Sequence, residues 1–382
     1  MNTLWDVQAL LDSPRIHPAP GHHADGMQAL FYDGLPWKGG PTRVFAWLGL
    51  PPGLAPGETC PGIVLVHGGG GTAFDYWVRL WNSRGYAAIA MDLCGCIPEP
   101  PPTPPGQPRT RHAAGGPPGW GASYEQIDDP VEDQWTYHAV ADIALAYSLL
   151  AARPEVDQSR IGITGISWGG YLTSIVSGVD DRFRFAVPVY GCGFYQDCPA
   201  FRVGLEPLGP ERMQRWLGLW DPSVYLPRAK MPVLWVTGTN DGAYPLDALQ
   251  SSYQLVAGYL TLCIRIEMPH GHGGLGENPE EIHVFADSFL KDGVPLARII
   301  RQDLNGNTLR VEFEAEGPVV RAELIYTRAH GFWQDRKWNT APAELNVEEG
   351  WAESQLPAET TVCYMNLIDD RDCVVSSRHM EL

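Results

Sequence analysis

The stretch Ser159-Arg-Ile-Gly-Ile-Thr-Gly165-Ile-Ser167-Trp-Gly169-Gly-Tyr-Leu-Thr-Ser-Ile-Val176 decides the fold. Its first half, with Ile161, Ile163 and Thr164, reads as a buried β-strand, and its second half reads as a helix. Ser167 falls at the junction, inside Gly165-Ile166-Ser167-Trp168-Gly169, a G-x-S-x-G pattern. A serine on a sharp strand-to-helix turn sits in strained backbone and holds its Oγ clear of the sheet. The flanking glycines have no Cβ, so strand and helix can approach closely. The new helix presents free N–H groups and a positive dipole end where negative charge can develop. The plainer alternative is a structural glycine turn, but the strand–turn–helix context favours a nucleophile.

A nucleophilic serine needs an imidazole base and a carboxylate that orients it, sought downstream in the order serine, acid, histidine. Asp241 follows the buried-strand run Pro232–Thr237 in the loop Gly238-Thr-Asn-Asp-Gly242. The competing reading of Asp241 is an Asx-turn. Asp247 is the reserve, at a helix start where a carboxylate has a capping role. The base lies in Met268-Pro-His270-Gly-His272-Gly-Gly274. His272 is the expected base, because a glycine on each side lets the backbone turn toward the serine. His270 is then expected to support the loop or the substrate pocket. A His-x-His metal pair is disfavoured, because no cysteine or carboxylate cluster adjoins it. No metal and no cofactor are expected.

Upstream, Gly62-Ile-Val-Leu-Val-His67-Gly-Gly-Gly-Gly-Thr72 is an apolar strand running into a glycine loop. Acyl transfer creates an oxyanion, and each preset backbone donor lowers the barrier by roughly 3 kcal/mol. The expected donors are the N–H groups of Trp168 and of Gly69 or Gly70. A phosphate cradle is excluded, since neither Gly-Lys-Ser/Thr nor a dinucleotide fingerprint follows.

With Asn82–Asp92 as the next strand and Asp157–Gly165 as the run-in to Ser167, the chain resembles the α/β-hydrolase superfamily. The similarity is to its dienelactone-hydrolase-like, acetylxylan-esterase-like and prolyl-oligopeptidase-like serine hydrolases. It spans roughly residues 25 to 295. It implies an α/β fold with a mostly parallel, doubly wound sheet. It implies Ser167 as nucleophile, Asp241 as acid, His272 as base, and Trp168 with Gly69 and Gly70 as oxyanion donors. Dienelactone hydrolases use cysteine where this chain has Ser167, so esterases and peptidases fit better. The expected activity is that of a serine carboxylesterase on short acyl esters, including acetylated carbohydrates. A peptidase of the prolyl-oligopeptidase kind and a feruloyl-type esterase are the alternatives. Such peptidases usually carry a propeller ahead of the hydrolase domain, and no bladed repeat is evident upstream of Gly62.

The 382 residues are 44% hydrophobic, ample for a large core, and carry a net charge of −18. That charge argues against nucleic acid and against an anionic membrane surface. No membrane span and no signal peptide are read, so a cytoplasmic location is the expectation. The eight cysteines form no dense framework and are expected to be buried as small hydrophobes. A homo-oligomer is compatible with the sequence but not specified by it.

Residues 1–295 are expected to form the catalytic domain with an N-terminal arm, and 296–382 an antiparallel β-sandwich. Alternation at Leu309–Phe313 and Val320–Tyr326, with a hairpin signal at Asn305-Gly306, supports the second. A leading hairpin is expected within 29–50, around Asp33-Gly34 and Gly39-Gly40, and a helix over Asp133–Leu150. The Pro-rich stretch 97–120 cannot be regular structure and is expected to wall the site, with Tyr190 and Phe194 as further pocket residues. Trp333, Trp338 and Trp351 fit carbohydrate stacking, or more simply the packing of the sandwich.

Overall fold

The computed structural model describes residues 4–99 and 109–382. Its centre is a nine-stranded sheet of β1 (Ile16–Pro18), β2 (Met27–Trp37), β3 (Gly40–Gly49), β4 (Cys60–Val66), β5 (Ala87–Met91), β6 (Val156–Ile166), β7 (Ala186–Val189), β8 (Val233–Gly238) and β9 (Leu260–Arg265). The strand order is β1-β2-β3-β5-β4-β6-β7-β8-β9. β4 to β9 pair in parallel and β1 to β3 join antiparallel at one edge. The parallel strands are buried on both faces, which is why they read as continuous apolar runs rather than alternating ones.

Helix Trp135–Ala151 forms where the helical period was read. The hairpin is also present, but β2 and β3 turn at Lys38-Gly39, where both residues have positive φ. Gly34 lies inside β2, where a Cβ would stand 2.6 Å from Thr42 Oγ1 and 2.9 Å from Asp142 Oδ1. The glycine of Asp33-Gly34 therefore marks a close approach rather than a turn. The N-terminal arm is anchored by Trp5, buried among Tyr137, Trp220 and Tyr225.

The C-terminal region is antiparallel. One sheet contains β10 (Arg298–Asn305), β11 (Thr308–Glu314), β14 (Glu344–Asn346) and β15 (Trp351–Gln355). The other contains β12 (Val319–Thr327), β13 (Trp338–Pro342), β16 (Val362–Asp369), β17 (Val374–Ser376) and β18 (Met380–Glu381). The β10–β11 hairpin turns at Asn305-Gly306, with Gly306 at φ 59°. Trp333 and Trp338 are buried and stack on each other, and Arg310 covers the Trp351 ring. The three tryptophans are thus engaged in packing.

β9 ends the parallel sheet, and its open edge is covered by the C-terminal region. Ser376 Oγ accepts from the Ile264 N–H at 2.8 Å, and the Tyr364 hydroxyl donates to the Ile264 carbonyl at 3.2 Å. All eight cysteines are buried. Among the described residues no helix is long and apolar enough to cross a membrane.

Burial sets the acid stability. It pushes His67 and His379 down to about 4 and His283 to about 3, from an ordinary 6.5. In the opposite sense, burial raises Asp142 to about 8. Unfolded histidines take up protons below pH 6.5, whereas the folded ones stay neutral until near pH 4. Stability held by the neutral histidines is therefore present above pH 6.5 and lost as pH falls toward 4. Asp142 works the other way, binding a proton in the folded state from pH 8 downward. His112 and His138 are lowered by burial in the same way, so the histidines outnumber Asp142 and stability should fall as pH drops below 6.5, with a net uptake of protons on unfolding. Urea midpoints at pH 8, 6.5, 5.5 and 4.5 test this. A flat profile between 6.5 and 4.5 would contradict the burial argument.

Candidate active site

Ser167 stands at the junction of β6 and helix Trp168–Ser177 with φ 58° and ψ −117°, a conformation few non-glycine residues adopt. Its N–H donates to the Val189 carbonyl at 2.9 Å and its own carbonyl accepts from Tyr171 N–H at 2.8 Å, which fixes the turn. The elbow requires its glycines. A Cβ on Gly169 would lie 2.0 Å from the Val66 carbonyl oxygen, and one on Gly165 would lie 2.3 Å from the Gly169 oxygen.

Asp241 leaves the end of β8 with its carboxylate buried. Its Oδ1 accepts from the N–H groups of Ala243 and Tyr244, each at 2.8 Å. The Asx-turn reading of this residue is thus also present, and it holds the carboxylate still. The second oxygen, Oδ2, lies 2.7 Å from His270 Nδ1, and His270 Nε2 lies 2.8 Å from Ser167 Oγ. The anionic acceptor places the ring proton on Nδ1 and leaves Nε2 to accept from the serine hydroxyl.

This corrects the expectation for the two histidines. His270, not His272, bridges serine and acid. The chain after β9 passes close over the end of β8, where a Cβ on Gly238 would lie 2.3 Å from the Met268 oxygen. It therefore delivers His270 beside Asp241, and two residues later it has passed the serine. The glycines around His272 serve another anion: Gly273 and Gly274, at φ 95° and 107°, turn their N–H groups onto Glu277. His272 Nδ1 pairs with Glu277 Oε1 at 2.8 Å, while its Nε2 accepts the Gly68 N–H at 2.9 Å. The two histidines thus engage different carboxylates.

Tyr190 also departs from its expected place. It is fully buried, and its ring stacks on His270 at 4.4 Å while its hydroxyl donates to the Gly271 carbonyl at 2.8 Å. It backs the imidazole rather than lining a pocket. Phe194 is half-buried, with left-handed backbone. Asp247 sits in the first turn of helix Leu246–Tyr253, where its carboxylate accepts from the Ala248 N–H.

The glycine loop after β4 faces Trp168. A Cβ on Gly69 would stand 2.9 Å from Trp168 Cδ1, whereas Gly70 has φ 72° and nothing within 4 Å of its Cβ position. The Gly68 carbonyl lies 3.0 Å from His67 Nδ1 and 3.0 Å from the Gly71 N–H. Behind the loop, Asp92 accepts from Thr72 Oγ1 and pairs with Arg109 at 2.7 Å. Burial alone would raise Asp92, but Arg109 and His67 hold it below the usual carboxylate range. Trp120 packs on Trp168 and His67, so the far end of the Pro-rich stretch does reach the elbow. Residues 100–108 of that stretch lie outside the described residues.

Two features escaped the sequence reading. Glu277 has no motif, and its spacing from His272 acquires meaning only once the loop is seen to wrap it. Asn240, beside Asp241, donates from Nδ2 to the carbonyls of Gln334 at 3.0 Å and Arg336 at 2.6 Å. The C-terminal region thereby grips the loop that carries Asp241.

The Prolyl oligopeptidase family model matches residues 115–292, and the Acetyl xylan esterase (AXE1) model matches residues 27–197. The acetyl xylan esterase from Paenibacillus sp. R4 superposes with a TM-score of 0.57 at 24% identity, covering 75% of this chain and 92% of that one. The acylaminoacyl peptidase of Pyrococcus horikoshii gives 0.51 at 20% identity, covering 70% and 42%. Dipeptidyl-peptidase 5 of Porphyromonas gingivalis is 27% identical over 186 residues, which is 47% of this chain and 22% of that protein. The chain spans less than a third of the length of the curated relatives it matches. Fold and matches place it in the α/β-hydrolase superfamily, among serine hydrolases. Its similarities divide between acetyl xylan esterases and prolyl-oligopeptidase-like peptidases.

The geometry sets a clear ranking. Fluorophosphonate labelling of Ser167, followed by intact mass, should be abolished by His270→Ala and by Ser167→Ala, and only slowed by His272→Ala. Loss of labelling in His272→Ala with retention in His270→Ala would reverse the assignment.

Proposed function

We propose that this chain hydrolyses short-acyl esters, acetylated sugars among them, through an acyl-enzyme on Ser167. The observation that carries the reading is the continuous hydrogen-bonded line from Ser167 Oγ through His270 to Asp241 Oδ2. Ser167 Oγ attacks the ester carbonyl and its proton passes to His270 Nε2. Asp241 keeps the proton on Nδ1 and stabilises the imidazolium that forms. The N–H groups of Trp168 and Gly69 are the oxyanion donors. The proton then goes to the leaving alcohol, and water repeats the sequence on the acyl-enzyme.

The short-acyl preference rests on what surrounds the elbow. The Trp168 ring has Tyr171 at 5.2 Å, Trp135 at 5.6 Å, Phe201 at 5.6 Å and Trp120 at 5.9 Å between centroids. This close aromatic packing beside the elbow supports a short acyl group over a long one. A peptidase is the second reading, favoured by the prolyl oligopeptidase match over 115–292, which contains Ser167, Asp241 and His270. Aromatic walls also suit a phenolic acyl group such as ferulate.

A panel of acetyl, butyryl, octanoyl and feruloyl esters, acetylated xylo-oligosaccharides and peptide anilides tests the proposal. Acetyl and butyryl esters should give the highest kcat/KM, and Ser167→Ala should lower kcat by several orders of magnitude with folding intact. An octanoyl preference refutes the short pocket. Faster cleavage of anilides than of esters moves the chain to the peptidases.

A further inference from the structure

We propose that His272 and Glu277 form a second histidine–carboxylate pair that does no chemistry but holds the oxyanion loop in its working geometry, His272 acting as a positioning residue. The inference rests on the proposed hydrolysis at Ser167 and assigns a role that hydrolysis does not require of His272.

The pair is built as carefully as the first. Glu277 has its carboxylate buried and accepts from four donors: His272 Nδ1 at 2.8 Å, Tyr76 Oη at 2.8 Å, Gly273 N–H at 3.0 Å and Gly274 N–H. Burial alone would raise its pKa, but these bonds, that from His272 foremost, hold it below the ordinary carboxylate value. An anion there fixes the His272 proton on Nδ1. Nε2 is then a lone pair, and it faces the Gly68 N–H at 2.9 Å. Only the neutral ring can make both bonds. Phe74 packs on the imidazole at 4.8 Å and limits its rotation.

What His272 holds is the residue beside the nucleophile. A Cβ on Gly68 would lie 3.0 Å from Ser167 Cβ and 3.1 Å from His272 Nε2. The Gly68 carbonyl is held from its own side by His67 Nδ1 and the Gly71 N–H. Because the peptide unit is planar and trans, fixing Gly68 at its N–H and its carbonyl also fixes the direction of the next N–H, that of Gly69. That N–H is the proposed donor to the oxyanion. His272 thus acts on the transition state at one remove, through a glycine backbone with little stiffness of its own.

The test compares wild type, His272→Ala and His272→Gln, whose side-chain oxygen can accept from Gly68. Hydrogen exchange of segment 66–73 is followed by mass spectrometry, with β4 as the internal control for global unfolding. Steady-state kinetics on p-nitrophenyl acetate run in parallel. His272→Ala should speed exchange in 66–73 while leaving β4 protected. It should lower kcat 10- to 100-fold with KM within about threefold, since losing a whole oxyanion donor costs about 100- to 1,000-fold. His272→Gln should recover most of both. Unchanged exchange in 66–73 overturns the clamp whatever the kinetics. So does a rise in KM at constant kcat, or a glutamine variant no better than alanine. If His272→Ala does not fold, Glu277→Gln carries the same measurements, with a smaller rise in exchange expected in the same segment. If wild type turns over neither esters nor anilides, the proposed hydrolysis fails, while the exchange data still decide the clamp.

Discussion

The site hangs on the contact between the start of helix Trp168–Ser177 and the end of β4. No side chain fits there: the Cβ position of Gly169 is 2.0 Å from the Val66 oxygen. Close approach brings the glycine loop that follows β4 over the first turn of the helix, and it drives Ser167 into its φ of 58°. The strain is held by the bonds from Ser167 N–H to β7 and from Tyr171 N–H back to the Ser167 carbonyl. Ser167 and the glycine loop are thus one packing solution rather than two features that happen to be neighbours.

Around that contact the chain places two histidine–carboxylate pairs, two residues apart in sequence and opposite in task. His270 meets Asp241 and leaves Nε2 to the serine; His272 meets Glu277 and leaves Nε2 to a backbone N–H. In each case a buried anion chooses the tautomer, and the tautomer decides what the other nitrogen can do. The difference lies in what stands opposite Nε2, and only the path of the loop settles that.

The C-terminal sheets bear on the site through packing. Their residues cover the open edge of β9, and the backbone carbonyls of 334–336 hold Asn240 next to the acid. Trp333, Trp338 and Tyr364 join the same apolar core as the parallel strands. Sheets attached this firmly support the loop that carries Asp241, and Trp333 and Trp338 are buried where they join it.

By itself the sequence determined the parallel sheet, the elbow, the loop that carries Asp241 and the glycine loop, because each is written locally: apolar runs of strand length, glycines at close contacts, and an aspartate just past a strand. It also placed the C-terminal antiparallel strands, whose alternation is a two-residue signal that needs no partner to be read. It pointed to the wrong histidine: the glycines on each side of His272 favoured that residue, whereas His270 is the one that bridges Ser167 and Asp241. Tertiary structure made that choice through contacts distant in sequence: Met268 over Gly238, Tyr190 behind His270, and Glu277 drawing the next turn away. It likewise buried Tyr190 and, of the two glycine pairs in the leading hairpin, put the turn beside Gly39-Gly40, because Gly34 is needed where Thr42 and Asp142 press on the strand. Local pattern fixes which elements form; the reach of one side chain to another is set only when those elements pack.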